Sequence, residues 1–468
     1  MEHFIKPWLP SPTEPRYTFI NANVIDVFSG KCHPGSTVQI RNGKIESITT
    51  QASRVSEDGE TIVDLDGKYL IPGLIDSHVH ISGTPGESDI SKILKPDEIM
   101  TAFCIPYVCR DMLSRGFTTV RDCGGAPAAL KLAIEEWLVP GPRILRAGHA
   151  LTQNGGHGDF REPYESQDPE CPSCGHFVGL ARTVDGVAEA IGKTRDELRQ
   201  GSDFIKVMGS GGMLGTNRVT MEHTQFTPEE IRAITATAAA GMTYTTVHAY
   251  SPESIQQAVN NGANGIEHGN FLDRETARLM AEKKVFLTPT LVTFAISAEG
   301  PGSNTLPTKK REVYRRLLTA GLEAIKIATE EGVEICFGTD LLGPVGVFQS
   351  QEFTLRAQVQ TSLEVLRSAT ITPAKMMGLR DVGQIKEGFI ADLVVLKSNP
   401  LDDISVLARP ESEVLGVVKE GRLCFSRLKG VKGVLNYVST RYKRNEPGRL
   451  RKPPVRFSCQ NSTTGKLG

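Results

Sequence analysis

The chain opens with short alternating segments broken by turn residues: FINANVIDVFSG, then STVQIRNGKIESI, within residues 17–50. Apolar and polar positions alternating at period two mark half-buried strands. Asn42-Gly43, between residues 37–40 and Lys44-Ile45, is the residue pair that favours a type I′ hairpin turn. Residues 61–65 add another short strand, so the first stretch reads as all-β. From Leu70 the pattern changes. Short apolar runs alternate with longer helical periods, which predicts repeated βα units around a parallel sheet. Eight candidate strands follow in order: 74–76, 118–121, 143–146, 204–208, 244–247, 265–267, 285–288 and 333–337. Helical stretches such as 228–240 and 274–283 lie between them; in the latter Ala277, Met280 and Ala281 share one face.

Eight such units over roughly 310 residues predict an α/β fold of the (β/α)8 TIM-barrel kind. A doubly wound open sheet is compatible with the same periodicity. Strand pattern returns after Ala374, at residues 391–396, 413–418 and 422–425. The two β-rich flanks are each too small to hold a core alone. They are therefore expected to pair into one small composite β-sandwich, built from 1–69 and 383–430, beside a barrel spanning 70–382. The end, 431–468, is basic and Pro-bearing without an apolar period, and reads as a loosely ordered tail.

Composition narrows the functional classes. The 468 residues carry 53 Lys+Arg against 54 Asp+Glu, a net charge of −1, which argues against a dedicated nucleic-acid binder. No apolar run has the ~18 residues of a membrane span, and residues 1–16 lack the apolar stretch of a secretory signal. Nine Cys, an odd and sparse number, fit reduced thiols and a cytoplasmic location. Cys171 and Cys174 have CxxC spacing but no second pair, and read as loop cysteines. His149, His176 and His223 have no spacing that ties them to a site.

The strongest local signal is Asp76-Ser77-His78-Val79-His80, directly after an apolar strand. Residues two apart on an extended segment point the same way, so His78 and His80 can present two imidazoles to one cation. Lys206 sits within the apolar run FIKVM, where a bare ammonium is costly to bury. His248 ends the strand 244–247, His268 follows Gly265-Ile266-Glu267, and Asp340 closes Phe337-Gly338-Thr339-Asp340. Singly, each has a bland reading as a core histidine or a snorkelling lysine. Together, six such residues within or just past predicted strands fall where a barrel builds its active site.

The order H-x-H, Lys, His, His, Asp resembles the metal-dependent amidohydrolase superfamily. Further stretches resemble its imidazolonepropionase-like branch, which includes ochratoxinase and the carboxylated-lysine prolidases. These are GGHGDFR at 155–161, FIKVMGSGG at 204–212, VHAY at 247–250, GIEHGN at 265–270, LTPTLVTF at 287–294 and FGTD at 337–340. The likeness runs from about Tyr17 to Arg427. It implies two divalent metal ions, most readily Zn. His78, His80 and Asp340 would hold one and His248 and His268 the other, with a CO2-derived carbamate on Lys206 between them. Asp340 would also move the proton from a metal-activated water to the leaving amine. His157, in the Gly-rich loop 154–159, becomes a donor to the substrate carbonyl or carboxylate, and Tyr250 a stabiliser of the oxyanion. The implied activity is amide hydrolysis of a small molecule, an N-acyl amino acid or dipeptide. Hydrolysis of a cyclic amide or lactone, or a barrel kept as a scaffold, are the alternatives. The family often forms homo-oligomers.

Overall fold

The computed structural model describes residues 5–6, 8–9, 15–50, 59–86, 90–94, 97–161, 179–213, 220–301, 303 and 306–433. All but the first three residues of the expected basic tail lie outside them, as do Cys171, Cys174 and His176. Among the described residues, seventeen strands are numbered in chain order. The N-terminal flank supplies β1 (Arg16–Asp26), β2 (Lys31–Arg41), β3 (Lys44–Thr49), β4 (Glu60–Asp64) and β5 (Tyr69–Pro72). The middle of the chain supplies β6 (Leu74–Val79), β7 (Phe117–Asp122), β8 (Arg143–Arg146), β9 (Ala150–Thr152), β10 (Ala181–Thr183), β11 (Ile205–Met208), β12 (Thr245–Ala249), β13 (Gly265–His268) and β14 (Phe286–Thr288). The C-terminal flank adds β15 (Leu393–Leu396), β16 (Val414–Lys419) and β17 (Arg422–Ser426).

The two flanks meet in one eight-stranded sheet, ordered β17-β16-β15-β5-β1-β2-β3 with β4 beside β1. The junction is antiparallel, Val394 of β15 lying opposite Ile71 of β5. Phe19, Val38 and Leu70 pack there with Leu393, Val395 and Val418, so one core draws on both ends of the chain. Asn42 and Gly43 adopt left-handed conformations (φ 50° and 73°), as a type I′ turn demands.

Two parallel sheets carry the middle of the chain, β6-β7-β8 and β10-β9-β11-β12-β13-β14. Their strands alternate sharply in environment. Val207 and Val247 pack with Ile231 and Ile255 of the covering helices Pro228–Ala240 and Pro252–Asn260. Lys206, Thr246 and His248 take the alternate positions, as the period of a strand requires. The helix Pro228–Ala240 begins on a capping box between Thr227 and Glu230, which satisfies two of the free N–H groups at its start.

Backbone hydrogen bonds extend from the edges of the six-stranded sheet toward the three-stranded one. On one side Asp203, just before β11, donates its N–H to Arg146 O at 2.8 Å. On the other, Leu287 of β14 donates to Glu334 O at 3.0 Å and accepts from Cys336 N at 2.8 Å. The expected strand 333–337 is therefore a bridge, Leu287 to Ile335, rather than a full strand. Its free edge is taken up elsewhere: Phe337 N–H bonds Ser368 O, and the facing Ile75 N–H bonds Ala369 O. The chain after the helix Ser362–Ser368 thus wedges between this segment and the start of β6. Contact resumes one step later, where Ser77 N–H reaches Phe337 O and Asp340 N–H reaches His78 O. Among the described residues no helix is long and apolar enough to cross a membrane.

Candidate metal centre

The six residues singled out as ligands converge at the carboxyl ends of the parallel strands. His78 and His80 lie at the end of β6, Lys206 on β11, His248 on β12, His268 at the last position of β13, and Asp340 beyond the Ile335 bridge. The Oδ1 atom of Asp340 is 3.3 Å from His78 Nε2 and 3.2 Å from His80 Nε2. Ligand atoms of these three all fall within 4.8 Å of one another. The ring of His268 is 5.2 Å from that of His78 and 4.6 Å from that of His248. His157 stacks on His248 at 4.5 Å, and Tyr250 lies 5.0 Å from His248 and 5.2 Å from His268. All eight side chains line one cavity.

Each histidine of the cluster has one ring nitrogen already engaged. His78 Nδ1 meets Glu267 Oε2 at 2.7 Å, His80 Nδ1 meets Gly124 O at 2.9 Å, and His268 Nδ1 meets Thr290 Oγ1 at 2.7 Å. For His248 it is Nε2 that meets Gly211 O, at 3.2 Å. The remaining nitrogens are Nε2 of His78, His80 and His268, and Nδ1 of His248. An outer partner that fixes the tautomer is the usual companion of a metal-binding imidazole. Burial, with His157, His268 and Lys206 adding to it, holds His248 well below the ordinary imidazole range. His268 is held down in the same way, burial being the largest cause, so both rings are neutral and carry a free lone pair.

Lys206 is the odd member. Its side chain is 1 % exposed and its Nζ has no hydrogen-bond partner among the described residues. Burial lowers its pKa, against the pull of Glu267 and Asp340. A buried amine without partners is expensive, and nothing else in the described cavity relieves it. Burial also works to raise the Asp340 carboxyl, but His78, His80 and His268 outweigh it and keep it well below the carboxylate range. The donor set of imidazoles and a carboxylate suits Zn and neighbouring transition metals.

Several neighbours of this cluster have no motif of their own. Glu267 is fully buried, with Arg121 Nη2 at 2.5 Å from Oε1, a hydrogen bond from Thr246 Oγ1, and His78 on its other oxygen. Alternation along a strand should turn Glu267 and His268 to opposite faces. The left-handed backbone at His268 (φ 73°) breaks that alternation, and both side chains reach His78. Asp340 and Thr290 are left-handed as well (φ 52° and 48°), the kind of backbone outlier that gathers at functional sites. Asp76 accepts Thr339 Oγ1 at 2.7 Å and Gln349 Nε2 at 2.8 Å, which ties down the residue preceding Asp340. The GIEH string placed Glu267 beside a ligand, but its pairing with Arg121, 146 positions away, has no signature in one sequence. His149 pairs with Glu197 at 3.2 Å and His223 bonds Thr220, so both sit in other networks.

A parallel α/β fold with a histidine-, lysine- and carboxylate-lined cavity at its strand ends is the architecture of a metal-dependent hydrolase. The model of the Amidohydrolase family matches residues 69–424, and the chain belongs to that family. It is a hydrolase of carbon–nitrogen bonds. Ochratoxinase of Aspergillus niger is 28 % identical over 427 residues, covering 86 % of this chain and 87 % of that protein. A prolidase crystallised with N-methylphosphonate-L-proline superposes with a TM-score of 0.82 at 38 % identity, over 87 % of this chain and 99 % of that one. A Xaa-Pro dipeptidase with bound methionine gives 0.78 at 28 % identity, over 87 % and 99 %. These similarities place the chain in the ochratoxinase- and prolidase-like branch.

Proposed function

We propose that this protein is a binuclear metal-dependent amidohydrolase that cleaves the amide bond of an N-acyl amino acid or dipeptide. The observation that carries the reading is the orphaned, buried Lys206 amine set among four histidines and Asp340. Burial lowers the Lys206 pKa and so favours the neutral amine, the form that adds CO2: a C–N bond forms at Nζ, one proton leaves, and an anionic carbamate replaces the unpartnered nitrogen. His78, His80 and Asp340 would hold one ion and His248 and His268 the other, and Lys206, as its carbamate, would offer an oxygen ligand to each. Two divalent ions, with Zn the first choice, supply Lewis acidity and bring a water near neutral pKa when bound. The remaining work belongs to the chain. Asp340 takes the proton of the attacking water on its carboxylate and hands it to the leaving amine. Tyr250, whose hydroxyl burial and Asp340 keep protonated, donates to the developing oxyanion. His157, held against His248, donates to the substrate carbonyl or carboxylate.

The same reading takes β6, β7, β8, β11, β12, β13, β14 and the Ile335 segment, joined through Asp203 and the Ile335 bridge, as one ring of eight strands over residues 70–382. It takes the flanking sheet as a second, composite β-sandwich unit from 1–69 and 383–430. It treats the chain as a cytoplasmic homo-oligomer that acts on a small molecule. The test is a screen of N-acyl amino acids and Xaa-Pro dipeptides with Zn-loaded protein. Release of a free amino acid from one series supports the proposal. Cleavage of cyclic amides or lactones alone transfers it to the ring-opening alternative, and turnover of nothing by metal-loaded protein leaves the scaffold reading.

A further inference from the structure

Beyond the metal-facing side chains, the cavity has one wall of distinct character. It is built by a helical hairpin inserted after β14, consisting of the helices Leu291–Glu299 and Thr308–Glu330. Thr293, Phe294 and Ser297 come from the first helix and Tyr314 from the second. Phe294 lies edge-on to both Tyr250 (6.2 Å) and His268 (6.1 Å), so this wall starts at the candidate metal centre itself. Behind it Tyr314, Phe294, Ala298 and Leu317 form an apolar cluster that also takes in Tyr250.

Set into this apolar wall is one polar feature. The hydroxyl-bearing side chains of Tyr314 and Ser297 line the same cavity, with Thr293 one helical turn from Ser297 on the same face. A hydroxyl both donates and accepts, so two that face one cavity can meet a neutral polar partner between them. Neither carries charge: burial raises the Tyr314 phenol to about 12. The described wall therefore has no counter-charge for an ion, and an ion desolvated against it would be costly. Phe294 and Tyr314 offer ring faces and edges for an aromatic partner.

We propose that this hairpin is the specificity wall of the enzyme, selecting a substrate whose group beside the scissile amide is apolar or aromatic, uncharged, and carries one neutral oxygen or nitrogen met by Tyr314 and Ser297. This deepens, and rests on, the amide-hydrolase reading above. Tyr314 and Ser297 are specificity-determining residues and take no part in moving the catalytic proton.

The experiment uses the full-length metal-loaded protein and three matched amide substrates bearing a phenyl, a methoxyphenyl or a carboxyphenyl group next to the scissile bond. Two sets are made, with that group on the acyl side or on the amine side. For one set, kcat/KM should favour methoxyphenyl over carboxyphenyl by tenfold or more. Tyr314→Phe should then lower the methoxyphenyl-to-phenyl ratio roughly three- to tenfold, the worth of one neutral hydrogen bond, mainly through KM. Ser297→Ala should lower it in the same direction. Equal use of the carboxyphenyl substrate, or an unchanged ratio in both variants, overturns the inference while leaving the hydrolase reading intact. Calorimetric binding of the matching aryl carboxylic acids and aryl amines to wild type and Tyr314→Phe needs no turnover. A loss of methoxyphenyl-over-phenyl discrimination there upholds the wall even where hydrolysis fails, and its absence rejects it.

Discussion

Asp340 and Lys206 are the two residues on which the proposed chemistry turns, and they stand out in the sequence for different reasons. Lys206 was legible because an ammonium does not belong in FIKVM, and Asp340 because it closes an apolar run. Asp340→Asn keeps the shape of the side chain and removes the proton acceptor. It should lower kcat by roughly 100- to 10,000-fold, the usual worth of a positioned acid–base group, with circular dichroism unchanged. The supporting residues were not legible. Glu267 and Thr290 matter because of partners brought together by the fold, His78 and His268, at 189 and 22 positions' distance. Away from the site, Glu352 is fully buried and burial raises it to about 7, despite the pull of Arg356. Its unfolded carboxyl ionises first, near pH 4.5, so stability present below that pH is lost as pH rises through about 7. Relative to Glu352→Gln, wild type should therefore lose melting temperature between pH 5 and 8, read by thermal unfolding at each pH.

At the scale of elements, close approach decides more than propensity. A methyl group built on Gly212 would lie 2.3 Å from His157 Cε1, so this turn after β11 holds the imidazole against His248. Gly212→Ala should displace His157 and lower kcat/KM at least tenfold, since misplacing a group by about 1 Å can cost 100-fold. The melting temperature should move little, which separates this effect from unfolding. Gly73 is the hinge between the flank sheet and β6, and a Cβ there would sit 2.0 Å from Thr118 Oγ1. Gly73→Ala should destabilise by about 1–3 kcal/mol, the range for overpacking a core, measured by denaturant unfolding. The helices were readable from their caps and apolar faces, as with Pro228–Ala240. Strands β9 and β10 were not, since each is three residues long and neither was among the expected strands. The last expected strand was read too long, because its edge bonds go to Ser368 and to β6 through Phe337 rather than along a continuous neighbour.

Over the whole molecule, the pairing of N- and C-terminal flanks in one sheet followed from a size argument: neither could bury a core alone, and Leu70 and Leu393 now share one. The convergence of candidate ligands from β6, β11, β12 and β13 could be anticipated only through the barrel expectation, since no pairwise spacing in the chain encodes it. A centre that joins so many elements should stabilise them when loaded. Chelation should lower the unfolding free energy by about 2.7 kcal/mol if the free metal had stood at 100 times its dissociation constant, and Lys206→Ala should blunt that response. The most direct test of the central claim is elemental analysis of the purified protein beside Lys206→Ala. The account predicts two equivalents of divalent metal per chain in wild type and fewer than one in the variant. One equivalent or none in wild type, unaltered by removing the lysine, would contradict it.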